Sequence, residues 1–325
     1  MELILAAPDG REIRNVYEDI DIELGLQNDF ELSVSYLNWE NRLDYGSMLY
    51  VPGTEYGGII QEIESVADDG IIYVRGDTWR GMLNKKVILP DAGQSYKAVS
   101  GELNNVLEQL IGSQFDSLML VAVHNTETYV TDFKLEAYCT LLEGINRILR
   151  SVEYRLKLIY IQNRYGGYVQ YEAVPSVDYS DRVEMSQDSR LKFTCFESRR
   201  EFNHMICLGK DDMDPRPVIH LYAQPDGSIG TNQYYKGRNE RVVVYEVNCE
   251  VNEMVDKGTE KFTELMDYKR FEAELADVGD FGIEIGDTIS GRDYITGIYV
   301  KKPVVGKVLK LKNQKANVEY KIEGE

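Results

Sequence analysis

What most constrains this chain is a pattern that occurs twice, once near the start and once at the end of its 325 residues. The first copy reads Phe30-Glu31-Leu32, Tyr45-Gly46-Ser47-Met48-Leu49, Gly57-Gly58-Ile59-Ile60, then Ile72-Tyr73-Val74-Arg75-Gly76. The second reads Phe271-Glu272-Ala273, Ile285-Gly286-Asp287-Thr288-Ile289, Thr296-Gly297-Ile298-Tyr299, then Glu319-Tyr320-Lys321-Ile322-Glu323-Gly324. Phe30 to Gly46 is 16 residues and Phe271 to Gly286 is 15; Gly46 to Gly58 is 12 and Gly286 to Gly297 is 11. Glycine tolerates positive φ, so matched glycines mark matched corners of a duplicated β-unit.

The local patterning fits. Phe30, Leu32, Val34 and Tyr36 alternate with Glu31, Ser33 and Ser35, the period of a half-buried antiparallel strand. Gly58–Ile63 and Ile71–Arg75 flank Asp68-Asp69-Gly70, a hairpin turn. After Trp79 the period changes. Leu103, Val106, Leu107, Leu110 and Ile111 give an amphipathic helix with Ser100 as N-cap and Gly112 as its end. Residues 117–123 read as a buried strand. Tyr138, Leu141, Leu142, Ile145, Ile148 and Leu149 give a second helix over 135–150, and a hairpin turns at Gly166-Gly167 between strands 154–161 and 167–174. Val243 to Val251 alternate, a short helix follows near 259–268, and strands near 295–300, 307–311 and 317–322 close the chain. The fold class is mainly β with an α+β insert: two similar β-barrels and a small α/β domain. The expected division is a first barrel over 1–80, with strands near 165–200 as candidates to complete it; an α/β insert over 81–180; and a second barrel over 181–325.

Charge narrows the function. The net charge is −19, which opposes binding to nucleic-acid phosphates and to anionic membrane surfaces. No apolar run is long enough for a membrane helix, and the first residues lack the basic start of a secretory signal. Residues 1–90 hold 17 acidic and 7 basic side chains (−10), whereas 297–325 hold 7 Lys and 3 Glu (+4); the unevenness reads as a solvated surface that varies along the chain, with attraction of one end to the other end of a neighbouring copy as the alternative. Cys139, Cys195, Cys207 and Cys249 are too scattered for a disulfide framework and read as thiols.

No nucleophile elbow, zinc-protease helix or phosphate loop is present. The three histidines are His124, His204 and His220. His204 with Cys195 and Cys207 forms Cys-x8-His-x2-Cys, which lacks the close ligand pairs of a structural zinc site and reads as core thiols beside a strand histidine. Asp211, Asp212 and Asp214 lack the ligand ladder of a calcium loop and read as solvated. Trp39 and Trp79 are the candidate stacking platforms for a carbohydrate. No catalytic, cofactor-binding or metal-binding residue is singled out, and no cofactor is expected. Three readings stand: an assembling structural subunit, a cell-wall carbohydrate-binding protein, and a cell-wall hydrolase.

A run of motifs in order favours the first. Asn28 to Val34 leads to Gly58-Ile59-Ile60, then Trp79-Arg80-Gly81-Met82-Leu83 before Val87-Ile88-Leu89-Pro90. After the helical block come Phe202-Asn203-His204-Met205-Ile206-Cys207-Leu208-Gly209, Tyr234-Tyr235-Lys236-Gly237, and Phe281-Gly282-Ile283-Glu284-Ile285-Gly286-Asp287. In this order the chain resembles the central baseplate hub, or tail-tip hub, of long-tailed bacteriophages and phage-derived contractile particles, in the short form without a lysin domain. The resemblance implies barrels like the tail-tube fold. It also implies a homotrimer of six similar units that adapts a hexameric tail tube to a trimeric spike or fibre, around a channel for DNA. The implied partners are further copies of the chain, the tail tube protein, the central spike or tail fibre, and the baseplate wedge and tape-measure proteins. No specific nucleic-acid binding or membrane insertion is implied. The implied location is the virion tail, assembled in the bacterial host cytoplasm. Like-charged walls would let DNA pass without sticking.

Overall fold

A computed structural model describes residues 2–39, 43–164, 166–180, 184–185, 192–198, 201–210, 216–247, 253–266, 269–275, 282–313 and 315–322. In chain order the first β-unit comprises β1 (Leu3–Ala6), β2 (Glu12–Val16), β3 (Asp19–Leu24), β4 (Asp29–Ser35), β5 (Met48–Tyr50), β6 (Gly57–Ile59), β7 (Glu62–Val66) and β8 (Ile71–Asp77). The insert comprises α1 (Trp79–Asn84), β9 (Tyr96–Glu102), α2 (Leu103–Ile111), β10 (Met119–Val121), β11 (Tyr129–Glu136), α3 (Leu141–Arg150), β12 (Tyr154–Asn163) and β13 (Gly166–Pro175). Then follow β14 (Glu184–Met185), β15 (Lys192–Glu197), β16 (His204–Leu208), β17 (Val218–Ala223), β18 (Ile229–Gly230), β19 (Val242–Glu246) and α4 (Met254–Leu265). The chain closes with β20 (Lys269–Leu275), β21 (Thr288–Arg292), β22 (Tyr299–Lys312) and β23 (Lys315–Ile322). The fold is mainly β with a small α/β insert.

Two compact units result: residues 1–193 with 272–323, and residues 194–271. The expected first barrel, the insert and the closing strands therefore share the larger unit. Among the described residues, strands near 165–200 do not pair with the first β-unit. β13 pairs inside the insert, and β14 pairs β21 in the second copy.

In the larger unit, a four-stranded sheet runs β2-β1-β5-β6, and the longest sheet path runs β20-β23-β22-β3-β4-β8-β7, with β20 entering it from Glu272 onward. The alternation in β4 does what its period dictates: Phe30, Leu32 and Val34 are buried while Asp29, Glu31 and Ser35 are exposed. Each such burial contributes about 1.5–3 kcal/mol.

The duplication is written in the register. Gly46 N–H bonds Ile60 O, and Ile60 N–H bonds Ser47 O (both 2.9 Å); Gly286 N–H bonds Val304 O, and Val304 N–H bonds Asp287 O (both 2.8 Å). Ser47 N–H closes a turn on Asp44 O, and Asp287 N–H closes the same turn on Glu284 O. Both glycines have positive φ, 78° and 97°. From there Ile63 faces Val74, which also faces Leu32; Lys307 faces Tyr320, which also faces Ala273. Phe30-Glu31-Leu32 thus corresponds to Phe271-Glu272-Ala273, β5 to β21, and β8 to β23. The short strands β6 and β7 correspond to the single strand β22, which bends at a bulge between Val304 and Gly306. Two assignments shift. The counterpart of Gly58 is Lys302, not Gly297, because the β21–β22 hairpin has two more rungs than β5–β6. The counterpart of Gly76 is Ile322. Likewise, the expected strands at 295–300 and 307–311 give way to one continuous strand that starts at Tyr299, residues 295–298 lying in the hairpin loop.

The insert shares its core with the β2-β1-β5-β6 sheet: Met48, Tyr50 and Trp79 cluster with Leu103, Leu107, Ile145, Leu149, Leu158 and Tyr160. α2 starts on Glu102, whose side chain accepts from Asn105 N–H; Ser100 lies within β9 and is not the cap. α3 starts later than its apolar period suggests. Thr140 and Glu143 form a capping box, and Tyr138 sits outside the helix at φ 65° and 68% exposed.

The smaller unit is a sheet ordered β18-β17-β16-β19, with α4 packed on β16 and β17. Its core is Met205, Cys207, Leu221, Ala223, Val247, Met254 and Phe262. The helix expected near 259–268 is therefore α4, which starts five residues and ends three residues earlier, and lies in this unit rather than in a second barrel. In the first copy β3 and β4 are joined by a tight turn at Gly25 and Asn28. Their counterparts β15 and β20 are joined by the whole of residues 198–268.

Candidate interface: a shared sheet and its charged face

The two copies meet inside the chain along one seam. β22 pairs β3 antiparallel, with Lys307 opposite Leu24, Leu309 opposite Ile22 and Leu311 opposite Ile20. One face of this sheet is core. The other is charged, because each strand alternates. A row crosses five strands: Lys310 opposite Asp21, Asp21 opposite Glu31, Glu31 opposite Arg75, Arg75 opposite Glu62. Arg75 bonds Glu31 (2.6 Å), Glu62 and Glu64 (both 2.7 Å), and these three carboxylates raise its pKa further above its already high value. Across the seam Lys321 meets Glu23 (2.9 Å) and Lys312 meets Asp21 (3.9 Å), while Lys310 pairs with Glu319 within the second copy. The basic end of the sequence thus pairs with part of the acidic start within the chain, where the β3–β22 ladder brings the two ends together.

The first copy's strands still carry Asp19, Asp21, Glu23, Asp29, Glu31, Glu62, Glu64 and Asp77 against Arg75. A groove of about 380 Å³ opens here, lined by Asp21, Glu23, Asp29, Glu31, Arg75 and Lys321 among others. Burial, then the charges of Glu23, Asp77 and Glu31, push the Asp29 carboxyl above its ordinary range.

Beneath the opposite face, buried ion pairs tie the copies to the insert. Asp287 is fully buried and accepts from Arg155 Nε, Val177 N–H and Glu284 N–H, each at 2.9 Å. Arg80 grips Glu55 at 2.5 and 2.9 Å and donates to Leu156 O. Lys307, 1% exposed where the first copy has Ile63, lies 3.1 Å from Glu284 and over the rings of Tyr56 and Tyr320. Its charge is offset by a carboxylate and two π-faces. Only the register identifies this position as core, so a lysine there carried no signal of burial.

The residues weighed for chemistry fall out differently. Trp79 is wholly buried and stacks on Tyr160 (5.3 Å), so it is not a carbohydrate platform; Trp39 is partly exposed at the end of a 3-10 turn. His204 and Cys207 are three residues apart on β16, and the pleat sends them to opposite faces: Cys207 enters the core beside α4, while His204 bonds Glu240 (2.7 Å) and His220 (2.8 Å). The two rings face nitrogen to nitrogen, with centroids 5.1 Å apart, in a hydrogen bond. His124 lies 3.4 Å from Glu172, which Lys157 neutralises. Asp211, Asp212, Asp214 and Cys249 lie outside the described residues, as does the side chain of Cys195.

This arrangement is the fold of phage tail proteins. The chain is similar to a 43 kDa tail protein of prophage MuSo2 from Shewanella oneidensis (TM-score 0.61, 13% identity, covering 99% of this chain and 98% of that one). It is similar to a tail protein from Neisseria meningitidis MC58 (TM-score 0.54, 15% identity, 100% and 97%). It is also similar to a chain of the phage P2 baseplate in its activated conformation with Ca (TM-score 0.52, 9% identity, 99% and 98%). No protein-family model and no curated protein matches the chain.

Proposed function

We propose that the chain is a structural subunit of a phage-type tail baseplate, a hub that closes with two further copies into a ring of six similar β-units. The observation that carries this is the β22–β3 seam. Among the described residues, the eight-strand path ends on β7 at one side and β15 at the other. β7 is the counterpart of the seam half of β22, and β15, beside β20, is the counterpart of β3, beside β4. The seam made once within the chain is therefore available again between chains, β7 of one copy against β15 of the next. This contact is heterologous, so it makes a ring if the rotation closes. Three copies give six units, a pseudo-sixfold platform suited to a hexameric tail tube on one side and a trimeric spike or fibre on the other. Wedge and tape-measure proteins are its remaining neighbours, and the virion tail, assembled in the host cytoplasm, is its location. The acidic face is suited to lining a channel that DNA traverses. The role needs no catalysis, and no catalytic residue is assigned.

The test is the mass and symmetry of the purified chain, alone and mixed with purified tail tube. Particles of three times 37.2 kDa with threefold images support the ring. A monomer under both conditions at tens of micromolar overturns it.

A further inference from the structure

The strands of the long sheet have two ends, and the duplication treats them differently. Both hairpin tips lie at one end. Val66 opposite Ile71 is the last rung of β7–β8, and Tyr36 N–H, just past β4, bonds Gly70 O in the turn (2.9 Å). The matching rung of β22–β23 is Lys310 opposite Asn317. It leads to a tip where Asn313 N–H bonds Asp19 Oδ1 at the start of β3 (2.9 Å). Residues 67–70 complete the first tip and 311–316 the second, so the tips finish within one rung of each other, about 3 Å.

At the opposite end the copies differ. In the first, β3 turns directly into β4, and Thr78 donates to Asn28 O of that turn through both its N–H (3.0 Å) and its hydroxyl (2.9 Å), where the α/β insert begins. In the second, the chain leaves the larger unit after Phe193 and re-enters it at Glu272, opposite Lys321 near the end of β23, with the smaller unit between. In a ring of three chains the hairpin tips therefore recur six times in matching form, whereas the insertion end alternates from one β-unit to the next. Six identical subunits fit six like corners but not an alternating set; a threefold partner fits the alternating set. The hairpin end of the first copy also carries exposed apolar side chains, Tyr17 (64%) before β3 and Leu37 (97%) after β4, the kind of area an interface covers.

We propose that the hexameric tail tube docks on the hairpin end, over the 67–70 and 311–316 tips, and that the trimeric spike or fibre meets the insertion end. The proposal rests on the hub reading above and adds which end of the strands faces which partner. The tips carry opposite charges, Asp68 and Asp69 against Lys312 and Lys315, so the feature they share is the backbone corner. A partner that read charge instead would take every second tip.

The test places Asp69→Cys, Lys315→Cys and Gln27→Cys one at a time in the full chain, all at exposed positions, the first two on the tips and the third in the β3–β4 turn. A maleimide probe is applied to the chain alone and to the chain bound to purified tail tube, and each engineered peptide is followed by mass spectrometry. The expected result is labelling slowed at least about tenfold by the tube at both tips and unchanged at Gln27→Cys. Slowing at one tip alone, at Gln27→Cys, or at none of the three while tube is bound overturns the end assignment and leaves the hub reading intact. A chain that binds no tube overturns both.

Discussion

Replacing Asp287 by alanine should be among the most damaging single changes in the larger unit. The carboxylate has no exposure and accepts three hydrogen bonds at 2.9 Å, one from the guanidinium of Arg155 and two from backbone N–H groups. Its removal leaves a cation 14% exposed without this partner and two amides short of an acceptor. Breaking a buried pair costs about 3–5 kcal/mol, and the orphaned amides keep the loss toward the upper end. In a folded body of this size each kcal/mol lowers Tm by about 2–4 °C, so the transition of the larger unit should fall by roughly 10 °C or more. The duplication supplies the control. Ser47 stands at the same corner of the first copy, equally buried but without a carboxylate, and Ser47→Ala should cost about 1 kcal/mol or less. Differential scanning calorimetry of both variants separates the cases. A Tm drop for Asp287→Ala no larger than that for Ser47→Ala would refute the clasp.

Gly25→Ala should destabilise the seam by about 3 kcal/mol or more, because φ is +103° and a Cβ would stand 2.0 Å from Val305 O; a native-like urea midpoint would contradict this. Thr140→Ala removes one half of the capping box on α3 and should cost about 1 kcal/mol in chemical denaturation. Burial pulls the Glu102 carboxyl upward, but bonds from Thr126 and the start of α2 outweigh it and hold its pKa below the ordinary value. A depressed native pKa gives stability that is present above the unfolded value, about 4.3, and lost as pH falls through the native one. Glu102→Gln should therefore lower Tm at pH 7, with a gap to the wild type that narrows below about pH 4; a gap constant from pH 7 to 3 contradicts it.

The periodic signals were local, and the sequence carried them. Alternation at Phe30, Leu32 and Val34 depends only on the pleat, and the helix of Leu103 to Ile111 only on its 3.6-residue repeat. The matched Gly46 and Gly286 depend on a turn that needs positive φ. Together these fixed a mainly β chain with an α/β insert and a duplicated unit. The counterpart of Gly58 was misplaced because a hairpin two rungs longer shifts every later residue without changing its pattern. The burial of Lys307 and the Asp287 clasp were decided by tertiary structure alone, since each joins residues from distant segments. The smaller unit inserted between β15 and β20 was equally hidden, because alternation looks the same whichever sheet a strand joins. Local geometry writes its period into neighbouring residues, whereas the choice of strand partner is made by packing between segments far apart in the chain.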